Sequence, residues 1–332
     1  MIETVDLDET GWLVDAETER PVPEHRLPRY FATYLAPPVW ATDIVVYVHG
    51  WQTPPASARR AAARLLGLAE RQLRSTQGLY PQLEQAARPF APWTLVVRWP
   101  SSSPVTPGGY RRIRDRAHAM GTEGHAAHII GRLLGYLDAA RPDPTDPAVL
   151  ANRAGQYLHL VGHSFGCRFL CEAVQWATDT ALDGGDTLGW GDLPAVPGKP
   201  FTADSMLLFQ MAAPRDAFAT HFTSLATAPL RGPVAATHSR YDRATGFWHL
   251  RAERRPGIGH SGIGIAPAPL FNTSLLPTHR RYPHHALNHR FVNLDASEHF
   301  VRGRRLNPAG AHSDHLRPES AHLLLSLAEH SR

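Results

Sequence analysis

The chain has 332 residues, 43% of them hydrophobic and 19% charged, enough apolar surface for a real core and too much for a disordered chain. Its net charge of +4 comes from scattered arginines, with Lys199 the one lysine, so no basic run marks a nucleic-acid surface and no stretch of about 18 apolar residues marks a transmembrane segment. The two cysteines, Cys167 and Cys171, make no disulfide framework and read as small buried hydrophobes.

The acidic start, MIETVDLDETGW, lacks the apolar core of a secretory signal, so a cytoplasmic protein is expected. Residues 1–40 contain Pro21, Pro23, Pro28, Pro37 and Pro38 and read as an irregular or short-hairpin lead-in to one domain at 41–330. DIVVYVHG (43–50) is a short β-branched run, the mark of a buried parallel strand. SARRAAARLLGLAERQL (57–73) has helical apolar spacing. WTLVVRWP (93–100) is the next strand, stopped by Pro100. A Ser/Pro/Gly loop follows, then a helix over 121–140.

YLHLVG (157–162) is a third strand, with a helix over 165–177. A loop at 184–200 leads to strands at 205–213 and 233–239, and the last strand and helix fall at 290–297 and 318–330. Alternating strands and helices imply an α/β fold with parallel pairing and right-handed crossovers. The stretch 245–289, rich in Pro, Gly, His and Arg, has no clear period and reads as a lid or insertion bordering a site. Its Phe247, Trp248, Leu270, Phe271 and Leu275 suggest an apolar acyl surface.

The chemistry is concentrated in Gly162-His163-Ser164-Phe165-Gly166. A strand that turns through Gly-x-Ser-x-Gly into a helix is a nucleophile elbow. The two glycines let strand and helix close around the turn, and the serine is lifted to the strand's carboxyl end. A serine hydroxyl needs a base, and the base needs a carboxylate to orient it. In this architecture the order is Ser, Asp or Glu, then His. Asp242 follows the 233–239 strand, and His312 lies in a small-residue loop before the last helix. Rival bases are His315 and His299, with His322 inside the helix; rival acids are Asp216, Asp295 and Asp314.

An oxyanion hole needs two N–H donors. Phe165 supplies one and Trp51, after His49-Gly50, the other, while His49, Gly50, Gln52 and His163 are expected around the substrate pocket. A different class of site remains open in THRRYPHHALNHR (278–290), where His285 and His289, with His279 and His284 near, would share a helix face and bind zinc.

These motifs resemble the serine α/β-hydrolase superfamily, and within it a bacterial group of esterase-like hydrolases. The matching segments are VVYVHGW, then VVRWPS followed by Tyr110, then LVGHSFGCR, MAAPRDAF (211–218), SRYDRATGFWHLRAERRPGIG (239–259), VNLDAS and GAHSDH (310–315). One departure is Arg215, which follows Pro214 where the group carries an acid, so that Asp216 is displaced. The resemblance covers about residues 43–325. It implies an α/β-hydrolase fold, a mostly parallel central sheet with helices on both faces, and it supports Asp242 and His312 as partners of Ser164. It also implies ester hydrolysis through an acyl-enzyme on a small-molecule ester or acyl substrate, with no metal and no cofactor. An acyltransferase or thioesterase with the same triad, or a non-catalytic binding protein on the same fold, are the alternatives.

Overall fold

Six short runs of β-branched and aliphatic residues form strands that are buried almost throughout. In chain order with three others they are β1 (Ile2–Leu7), β2 (Leu13–Val14), β3 (Asp43–Val48), β4 (Pro92–Arg98), β5 (Tyr157–His163), β6 (Ser205–Phe209), β7 (Val234–His238), β8 (Leu270–Ser274) and β9 (Phe291–Asp295). The structure, a computed structural model, describes residues 1–152, 154–182, 202–228, 230–301 and 308–332; the loop expected at 184–200 lies outside them. The nine strands make one sheet in the order β2-β1-β4-β3-β5-β6-β7-β9-β8. Every pairing is parallel except β1 with β2.

Alternate residues of the central strands enter two separate cores. Val46, Val48, Leu158, Leu160, Met206 and Leu208 face one, and Val45, Tyr47, Val161, Leu207 and Phe209 the other. The first core is closed by helices Leu27–Tyr34, Pro107–His118, Ala126–Ala140 and Phe165–Leu182, the second by Pro55–Ser75 and Pro318–His330. A strand buried on both sides must read as a continuous apolar run, and the period-2 split between cores is what fixes its register. Among the described residues no helix is long and apolar enough to cross a membrane.

Three regions differ from expectation. Residues 1–40 are not outside the domain at 41–330: β1 pairs in parallel with β4, placing Val5 opposite Val97, and Leu27 and Phe31 are buried in the first core. The stretch 107–118, expected as loop, is a helix whose start is capped by Thr106 Oγ1 accepting from Gly109 N at 3.0 Å. The stretch 245–289 is not a single lid. Its later part supplies β8, which pairs with β9 at the sheet edge, and Leu275, buried in the second core.

Candidate active site

Parallel strands all end at the same side, so the loops after β3, β5, β6 and β7 gather there. Three residues of these loops hold positive φ without being glycine: Gln52 after β3 (58°), Ser164 after β5 (57°) and Gln210 after β6 (47°). Such conformations cost roughly 1–3 kcal/mol each and persist only where the surroundings impose them. The three strands are neighbours, so the strain is collected around Ser164.

The glycines of the elbow are there because nothing larger fits. A Cβ on Gly166 would sit 2.2 Å from the Val48 carbonyl oxygen, and one on Gly162 would sit 2.7 Å from Cys167 Cα. Gly50 has the same constraint from the other side, since its Cβ would be 2.7 Å from Ser164 Cβ. The His49-Gly50 turn is therefore pressed directly against the serine.

Asp242 and His312 meet: His312 Nδ1 donates to Asp242 Oδ2 at 2.8 Å, with the carboxylate fully buried. That bond assigns the proton to Nδ1 and leaves Nε2 as a lone pair. The carboxylate is held by the Thr245 backbone N–H on Oδ1 at 3.0 Å and by Gln210 Nε2 on Oδ2 at 3.2 Å. The two loops are stitched together by Ala311 N to Tyr241 O (3.0 Å) and Arg243 N to Ala309 O (3.1 Å). Gly310, at φ 62°, permits that approach, because a Cβ there would lie 2.4 Å from Tyr241 O.

The histidine loop is tied to the elbow by the neighbour of the serine. His163 Nε2 donates to the His312 carbonyl at 2.9 Å, and its ring stacks on His315 with centroids 3.8 Å apart. Burial, then the nearby His315 and His312, depress the His163 pKa well below the ordinary value, and burial brings His315 to about 3. Both rings are neutral packing groups, which places His315 in a structural position.

Ser164 Oγ and His312 Nε2 do not bond to each other or to any other described residue. Neither belongs to the solvent-sealed, unpartnered atoms of the interior, which include Tyr110 Oη and Gln210 Oε1. The backbone N–H groups of Phe165 and Trp51 also make no hydrogen bond among the described residues. Trp51 is fixed by its indole N–H to Ser103 Oγ at 2.7 Å, and Tyr110 packs against both Trp51 and Phe165 with centroids 5.5 Å away.

The expected pocket residues are placed differently. His49 is 1% exposed and turned inward: Nδ1 donates to Gly50 O at 2.9 Å, and Nε2 accepts from Trp99 N at 3.3 Å. Burial lowers its pKa to about 4. Gln52 spends its backbone N–H on Ser101 O and its side chain on Ser103 O, so it clamps the loop after β4. His163 is 6% exposed and bolts the histidine loop in place. Of these residues Gly50 lies directly against the serine, leaving no room for a Cβ between them.

The rivals are engaged elsewhere. His299 faces Glu319 at 3.6 Å, Asp216 pairs with Arg255, and Asp295 Oδ1 accepts from Ser297 N at 2.9 Å. His322 bonds the Arg280 carbonyl at 2.8 Å inside the last helix. In the histidine-rich stretch only His284–Leu287 is helical, and His289 stacks on Phe271 with centroids 4.5 Å apart. Among the described residues no three His, Cys, Asp or Glu side chains are grouped as a metal site.

Gln210 was not foreseen. It joins Asp242 to the Ala311 carbonyl (Nε2 to O, 3.0 Å), but a glutamine at the end of an apolar run carries no pattern that separates it from a strand residue. No family model matches the chain, and a search of curated proteins gives no match.

Proposed function

We propose that the protein is a serine hydrolase of the α/β-hydrolase type that cleaves carboxylic esters through Ser164, His312 and Asp242. The observation that carries this reading is the convergence of a strained serine, whose hydroxyl makes no hydrogen bond among the described residues, with a buried Asp–His pair whose histidine is bonded to His163, the residue beside that serine. A structural turn has no need of a positive φ at serine.

In the proposed cycle His312 Nε2 takes the Ser164 proton as Oγ attacks the ester carbonyl carbon. Asp242 holds the ring in the correct tautomer and stabilises the imidazolium. The unspent Phe165 and Trp51 amides receive the oxyanion. His312 then protonates the leaving alcohol, and water repeats the sequence on the acyl-enzyme, releasing acid and free Ser164. The missing Ser164–His312 bond fits a resting enzyme, since such contacts often tighten only when substrate binds.

A panel of p-nitrophenyl esters of graded chain length, run with Ser164→Ala, tests the reading. Turnover by the wild type that falls by about 10⁴-fold or more in the variant is expected. Turnover that survives the substitution, or none with any ester, contradicts it.

A further inference from the structure

A cavity of about 440 Å³ opens one step from the elbow, lined by Arg114, His118, Arg168, Ala213, Asp216 and Glu253 among others. None of Ser164, His312 and Asp242 lines it. Its lining adjoins the elbow through the backbone. Ala212 N donates to the Ser164 carbonyl at 3.2 Å, and Ala213 is the next residue. Arg168 lies four residues past Ser164, about one helical turn along the axis.

The wall is charged. Its acids are largely taken. Asp115 and Glu253 face Arg114 at 2.6 and 3.5 Å, and Asp216 pairs with Arg255. Arg168 has its charge faced by Glu172 but keeps hydrogen-bond donors unfilled. It is 8% exposed, and its Nε is sealed with no partner. Its one side-chain hydrogen bond among the described residues is Nη2 to His118 Nδ1 at 3.4 Å. Glu172 stands behind it at 3.6 Å, beyond hydrogen-bond distance, with both carboxylate oxygens unbonded. Glu172 is wedged there: a Cβ on Gly121 would fall 1.5 Å from its Oε2.

A guanidinium out of water normally keeps its donors filled, because an unmade charged hydrogen bond costs the desolvation of the group. A planar fork with spare donors on a cavity wall matches a carboxylate.

Resting on the hydrolase reading, we propose that this cavity takes a carboxylate-bearing part of the substrate, with Arg168 as the residue that selects it. The favoured esters are then half-esters of dicarboxylic acids or esters of similarly charged polar acids, and not lipid acyl chains.

The test compares mono-p-nitrophenyl glutarate with p-nitrophenyl pentanoate, which has the same number of acyl carbons and no charge. A charge-assisted pair predicts a kcat/KM ratio of roughly tenfold or more for the glutarate. In Arg168→Met the ratio falls to about one, and in Arg168→Lys it lies between. Because Arg168→Met leaves Glu172 without its cation, the double variant Arg168→Met/Glu172→Gln is run beside it, with folding checked by thermal transition. A wild-type ratio of one or less, or a ratio unchanged in the folded double variant, overturns the proposal. If no ester is turned over, glutarate binding by calorimetry decides. Binding that is lost in the double variant upholds the carboxylate site while the hydrolase reading falls, and absence of binding overturns the site as well.

Discussion

Two Ser–His–Asp constellations occupy opposite ends of the same sheet. At the amino end, His159 Nε2 donates to Asp43 Oδ1 at 3.0 Å and His159 Nδ1 accepts from Ser205 Oγ at 2.8 Å. All three residues are fully buried, and the hydrogen-bond chain is unbroken from hydroxyl to carboxylate. At the carboxyl end only the His312–Asp242 half is bonded, and the serine hydroxyl is free. Judged by hydrogen bonds alone, the amino-end set is the better triad.

Everything else reverses that ranking. Ser205 opens a regular strand, while Ser164 sits at φ 57° where strand becomes helix. The Asp43 carboxylate also receives Arg332 at 2.8 Å and Thr42 Oγ1 at 2.7 Å, so its charge is fully spent on holding the fold. Nearby, Arg141 closes on Asp204 at 2.6 Å with neither side chain exposed. At the carboxyl end Tyr110 Oη, Thr245 Oγ1, Gln210 Oε1 and Arg168 Nε are buried without partners, against Gln156 Oε1 at the amino end. A structural network satisfies its members; a site for chemistry keeps donors and acceptors unspent for a ligand.

The sharpest way to break this comparison is to neutralise each carboxylate in turn. Asp242→Asn is expected to lower ester turnover by about 10⁴-fold, the loss typical of a triad aspartate, with the fold intact. Asp43→Asn is expected to leave turnover within a few-fold while costing stability of about 3 kcal/mol, as removing one member of a buried pair does. Turnover and denaturant midpoints of both variants check this. The reverse pattern would move the active centre to the amino end.

Acid separates the two ends more gently. Burial raises the Asp43 carboxyl, but Arg332 and His159 outweigh it and bring its pKa down to about 2. The stability it contributes is therefore present above about pH 4 and lost as pH falls toward 2. His315, His49 and His322 are buried neutral, with pKa values of about 3, 4 and 4. Below about pH 6.5 the unfolded chain binds protons that these rings refuse, so stability also falls as pH drops from 6.5 toward 4. A Tm measured across pH 7 to 4 should decline steadily, and His315→Phe should flatten the slope. A Tm independent of pH in that window would contradict the burial assigned to these rings.

The smallest effect concerns the histidine that ties elbow to base. His163→Phe keeps the stack on His315 but loses the bond to the His312 carbonyl. Turnover should fall roughly tenfold through misplacement of His312, with the Tm lowered by a few degrees. An unchanged kcat would show that the loop holds itself.

What the sequence makes legible follows burial. β3 to β7 and β9 are apolar runs because both faces of each are covered, and Pro318–His330 is marked by its proline start and leucine spacing. The Ser164, Asp242 and His312 positions can be picked out from the elbow and from chain order. β1 and β8 are hidden because they lie toward the sheet margins with few buried residues, so they lack an apolar run and exist through pairing with β4 and β9. The Pro107–His118 helix is hidden by its two glycines and four arginines. His49, Gln52 and His163 stand in the right motifs, but whether a polar ring faces a pocket or the packing depends on Trp99, Ser101 and the His312 carbonyl, all distant in the chain.

The most direct test is intact-mass analysis after treatment with a fluorophosphonate probe, applied to the wild type, Ser164→Ala and Ser205→Ala. One adduct on the wild type and on Ser205→Ala, with none on Ser164→Ala, is the expected result. An adduct that persists in Ser164→Ala, or that disappears in a folded Ser205→Ala, would contradict the assignment of the nucleophile to the elbow.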